Sequence, residues 1–140
     1  MFKYTISLIL FFFSFSVYSQ SSFNFYINLN EEETFNVLEK LDLEPLIELN
    51  ENMIVFMVNE IRESMNANLL NFERGINEIT YLKQSQYSWL EYLKNFSKYI
   101  TSSYKGGSIV STVNKITYKK FYLERNLELI ENHKRWKMDQ

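Results

Sequence analysis

From Ile79 to Ile100 the side chains Ile79, Leu82, Gln86, Trp89, Leu93, Phe96 and Ile100 recur at alternating steps of three and four. That rhythm belongs to one face of an α-helix and to no strand. It predicts a helix from about Gly75 to Ser103, about 40 Å long at 1.5 Å per residue. A rod of that length must be the spine on which the rest of the chain packs. One member is out of character. Gln86 places an amide on the stripe, and a buried amide costs stability unless it is hydrogen-bonded. It is expected to reach a hydroxyl, a charge or a backbone carbonyl of a neighbouring helix. Trp89 brings a large apolar surface and an N–H donor that also requires a partner.

Only 3 glycines and 1 proline interrupt the 140 residues, which favours long helices over a turn-rich β fold. Asn30 followed by Glu33 forms an N-cap pair, and Glu31 to Glu33 complement the positive end of the helix they open. That short helix carries Phe35, Leu38 and Leu41, and Pro45 is expected to end it. A second helix is expected from about Leu46 to Asn66, with Leu49, Met53, Phe56 or Met57, Glu60 or Ile61, and Ser64 or Met65 along its stripe. A connection falls between Asn66 and Gly75. After the spine comes SYKGGSI, in which Gly106 or Gly107 can close one helix and Ser108 can cap the next. So short a loop makes the two helices antiparallel neighbours. The last helix is expected from Ile109 to Lys134, with Ile109, Val113, Ile116, Leu123, Leu127 and Ile130 inward and Phe121 and Tyr122 at the flank. The expected fold is all-α, a single antiparallel bundle of three to four helices over residues 31–138.

The first residues, MFKYTISLILFFFSFSVYSQ, have one early charge, an apolar run and small residues at its close, the layout of a secretory signal peptide over residues 1–19. Residues 20–30 read as an extended leader. The apolar run is short for a membrane span, which needs about 20 residues, so the product is expected to be exported and soluble, without a stable membrane span. With 0 cysteines it has no disulfide, although export leads to an oxidising compartment. Charge is divided unevenly. Residues 20–79 hold 12 acids and 3 bases, net −9, while residues 80–140 hold 5 acids and 11 bases, net +6. Either the two halves attract each other within the bundle, or the acidic half faces a cationic partner.

Catalytic equipment is scarce. The single histidine, His133, sits near the charged end of the last helix, and one imidazole without placed partners does nothing specific. There is no Glu-x-x-His pair for a diiron bundle, no thiol and no nucleophile elbow. The Gly106–Ser108 segment lacks the strand and length of a phosphate-binding loop. Acidic balance and export disfavour nucleic acid. The expectation is a protein without enzymatic activity, cofactor or metal.

Three groups of residues carry a resemblance: Leu82, Lys83, Ser85, Gln86, Trp89 and Tyr92 as L-K-x-S-Q-x-x-W-x-x-Y, then Tyr104, Gly106, Gly107 and Ser108 as Y-x-G-G-S, then Arg125, Glu128 and Leu129 as R-x-x-E-L. In this order and spacing, over about residues 75 to 130, the chain resembles the LprI-like lysozyme-inhibitor domain family of small exported bacterial helical proteins. The resemblance implies that Leu82, Gln86, Trp89, Tyr92 and Arg125 form a structural motif. It also implies a binding function, inhibition of a lysozyme in defence of the cell wall. Family members usually carry cysteines that tie the helices, and Ser97 and about Thr117 stand where such a pair would be. The loop Tyr104, Lys105, Gly106, Gly107 and Ser108 is the candidate for partner contact. The alternative is an envelope structural or assembly module that docks another exported protein.

Overall fold

The structure is a computed structural model that describes residues 23–140. The signal peptide read over residues 1–19, and cleavage before Gln20, lie outside the described residues. Among those described there is no strand, and the fold is all-α. No helix in them is long and apolar enough to cross a membrane.

Residues 23–27 are helical, so the leader is not extended over this stretch. The reason is burial: Phe23, 1 % exposed, packs edge-on against Phe56 with ring centroids 4.6 Å apart. Helix α1 spans Glu31–Glu39 and opens with the expected capping box. The Glu33 amide donates to Asn30 Oδ1 at 2.8 Å, and the Asn30 amide donates to Glu33 Oε2 at 3.0 Å. Helix α2 spans Leu43–Asn66. Pro45 therefore does not end α1; it stands in the first turn of α2, where an N–H would have had no helical partner. The first helical bond in fact runs from the Leu46 amide to Asp42 O, one residue past the proline. Asn68, with φ of 56°, then turns the chain, and the amides of Leu69 and Leu70 return to Ser64 O.

Helix α3, Phe72–Thr101, is the spine, capped by Asn71. Helix α4, Ser108–Met138, runs back beside it and extends past the expected Lys134. Both Gly106 and Gly107 adopt positive φ, and Gly107 rather than Ser108 is the N-cap. α2 packs against both α3 and α4, and α1 lies on α4. The main core joins Phe23, Leu38, Leu46, Leu49, Met53, Phe56, Met57, Leu93, Tyr122, Leu129 and Ile130. A smaller one, Val58, Ile61, Leu70 and Ile79, closes the other end of α2.

The inward face of α4 differs from the expected one. Ile109 and Ile116 are exposed, while Tyr122, Arg125, Asn126, Leu129, Ile130 and His133 are buried. Two effects produce the shift. The first turns of α4 lie near and beyond the start of α2 and have α3 alone among these helices to pack on, so Ile109 and Ile116 on the other side stay uncovered. Further along, three of the six inward positions are polar, so an apolar count reads the wrong face.

Candidate functional site

Of the residues singled out in the sequence, Leu82, Gln86, Trp89 and Arg125 meet within the bundle. Gln86, half-buried, donates from Nε2 to Asn50 Oδ1 at 2.5 Å, and its Oε1 accepts from Arg125 Nε at 3.3 Å. Asn50 donates in turn to Asn126 Oδ1 at 2.8 Å, and Asn126 donates to the Leu46 carbonyl at 2.9 Å. Both asparagines are 0 % exposed. Arg125 continues outward to Ser85 Oγ at 2.9 Å and Glu128 Oε2 at 2.8 Å. A single chain of hydrogen bonds thus crosses from α2 through α3 to α4. Leu82 is packed between the two cores. Trp89 stands edge-on to Tyr122, with the Arg125 guanidinium 5.8 Å from its ring centre. The amides of Asn50, Gln86 and Asn126 and the Arg125 guanidinium bond one another across three helices, which makes the network a clamp that holds their register.

Tyr92 belongs elsewhere. It lies on the outer face of the hairpin in a row with Phe96 and Phe121. Ser97 hydrogen-bonds Asn114, whereas the Thr117 hydroxyl donates to Val113 O of its own helix. The side chain opposite Ser97 is therefore Asn114, about one turn before Thr117.

His133, near the charged end of α4, is nevertheless buried: it is 1 % exposed, held between Phe23, Phe56 and a stacked Trp136. Its Nε2 is 2.9 Å from Glu60 Oε2, which is also 3.1 Å from Lys137 Nζ. Neither His133 Nε2 nor Glu60 Oε2 reaches a well-aligned hydrogen bond despite those approaches. Burial holds the imidazole below its ordinary pKa; Glu60 opposes that shift and Lys137 adds to it. Trp136 donates to Glu78 at 2.8 Å, tying the end of α4 to α3. Among the described residues no group of three or more His, Cys, Asp or Glu is placed to hold a metal.

A groove of about 630 Å³ lies between α1 and α4. Phe35 and Leu127 form its apolar floor, and Glu31, Glu32, Glu128 and Glu131 stand along it with Arg135. Arg125 and Lys134 engage Glu128 and Glu131 at 2.8 and 2.7 Å. Glu31 and Glu32 have no such cation among the described residues. Sequence reasoning missed this site because two of its acids come from the acidic half of the chain and two from the basic half. The loop Tyr104–Ser108 is exposed and about 30 Å away along α4. Comparison with protein-family models, with curated proteins and with solved structures finds no match.

Proposed function

We propose that the chain is an exported, non-catalytic binding protein of the LprI-like kind, and that its partner is a cationic lysozyme whose activity it blocks. The observation that supports this reading best is the α1–α4 groove. It combines apolar Phe35 and Leu127 with four carboxylates, of which Glu128 and Glu131 are held by Arg125 and Lys134 while Glu31 and Glu32 are left to meet a basic protein surface carrying one protruding apolar side chain. Phe35, 40 % exposed, gives such a partner an aromatic contact at the centre of the charged rim. The loop Tyr104, Lys105, Gly106, Gly107 and Ser108 suits the role less well, because its surroundings are rich in lysine and repel a cationic enzyme. The clamp of Gln86, Asn50, Asn126 and Arg125 contributes indirectly by holding α4, and with it Glu128 and Glu131, in register.

A lysozyme-activity assay with the purified protein tests the reading. Inhibition that weakens as salt rises is expected; no inhibition across several lysozyme types would remove it. The second reading, an envelope assembly module, has its own support. Phe72, Ile76, Tyr87 and Leu90 are all exposed along one side of α3, a row at helical spacing without a covering element among the described residues.

A further inference from the structure

Between Tyr92 and Leu123 the chain carries 6 lysines, no aspartate or glutamate and no arginine. The segment is the end of α3, the two-glycine turn and the start of α4. Its outer part projects past α2, whose first residue, Leu43, borders a shallow depression with Ser97, Asn114 and Tyr118. Beyond that level residues 102–109 are exposed without exception. Large apolar side chains sit there uncovered, Tyr99 at 73 %, Ile109 at 53 % and Tyr104 at 40 % exposed, and Ile116, 65 % exposed, stands at the level of the depression. Of the lysines, Lys94 and Lys120 make only long contacts of 3.9 Å to Glu91 and Glu124. Among the described residues Lys98, Lys105, Lys115 and Lys119 have no carboxylate within ion-pair distance.

From this combination we infer that the α3–α4 hairpin tip docks the protein on an anionic phospholipid surface. Exposed lysines alone would suit any polyanion, and exposed tyrosines alone would suit many partners. Together, on a narrow projection free of acids, they match the layered chemistry of a membrane interface. Tyrosine rings settle at headgroup depth, isoleucines reach the acyl boundary, and lysines bury their stems while their ammonium groups stay with the lipid phosphates. A nucleic acid would gain little from Ile109 and Ile116. The missing arginine also removes the forked donor that fits a single phosphate in two places. The paired glycines allow the turn itself to be tight. Both take positive φ, and a Cβ added at either would meet nothing within 4 Å, so their small size serves the backbone and not a neighbour.

The chain has no cysteine, so a single introduced one can report position. Ser103→Cys labelled with an environment-sensitive dye marks the tip, and Asn66→Cys marks the far end of α2. Full-length protein with either label is mixed with phosphatidylcholine vesicles with or without phosphatidylglycerol. The tip label should shift to the blue only on the anionic vesicles, and the far label should not respond. Lys98→Ala with Lys105→Ala should weaken vesicle binding roughly 30-fold, and Tyr104→Ser with Ile109→Ser should abolish the shift while helical circular dichroism is retained. The N-terminal apolar run is common to every protein compared, so label position and the variant-to-parent difference carry the result. The inference is overturned by an equal response of both labels, by equal binding to neutral vesicles, or by indifference to the lysine pair. It is equally overturned by no binding, or by a tip response to duplex DNA or to protein concentration alone. Lysozyme inhibition, measured without lipid, succeeds or fails independently.

Discussion

Asn126 is wholly buried and meets two obligations at once, accepting from Asn50 and donating to the Leu46 carbonyl. Asn126→Ala removes both bonds, leaves buried polar atoms unpaired and opens a small cavity, a loss of about 2–4 kcal/mol. Gln86 is only half-buried, so Gln86→Ala should cost less than Asn126→Ala, and Gln86→Leu, which restores volume, less again; urea unfolding of the three variants checks the order. His133 supplies a test by pH. Burial lowers its pKa in the fold, so as pH falls through about 6.5 the unfolded chain takes up a proton before the native one does, and the protein loses stability. Above that pH both states are neutral and the effect vanishes. The thermal midpoint of the parent should therefore drop between neutral and mildly acidic pH by more than that of His133→Phe. Gln86 was legible in the sequence because an amide interrupts a strong apolar stripe. Asn50, Asn126 and His133 were not, because polar residues on weaker stripes look like solvent positions.

Helix boundaries reflect local chemistry, and where that chemistry is self-contained the sequence is sufficient. The Asn30–Glu33 box needs only its own turn, and it forms as expected; Asn30→Ala should cost about 1 kcal/mol. Pro45 misled because proline stops a helix behind it and starts one around it, and only the Asp42 carbonyl bond decides between them. The α3–α4 turn separates the two alternatives more sharply. Gly107, with φ of 83° and ψ of −165°, occupies backbone space nearly closed to other residues, whereas Ser108 is merely the first residue of α4. Gly107→Ala should lower stability by about 1–3 kcal/mol, and Ser108→Ala should be close to neutral. Equal losses would place the cap at Ser108 after all. The face of α4 escaped the sequence for a different reason. It contacts α1, α2 and α3 at different levels, so no single stripe runs its length.

Division of charge between the two halves of the chain does not carry over to the folded surface. Folding brings Glu128 and Glu131 from the basic half beside Glu31 and Glu32 from the acidic one, while lysines collect at the hairpin tip. The result is a molecule with an acidic groove and a basic projection about 30 Å apart along α4. The two proposals together place a cationic protein at one end of the molecule and an anionic surface at the other. Only the net charges were visible beforehand, since the groove exists because α1 folds back onto the last third of α4. Binding of a cationic lysozyme in this groove, the proposed function, is measured by titration calorimetry of the purified protein with such an enzyme. The parent should bind with an affinity that falls as salt rises, and Glu31→Gln with Glu32→Gln should weaken it about tenfold or more at low salt. Absence of binding, or binding that the glutamine pair leaves unchanged, would contradict it.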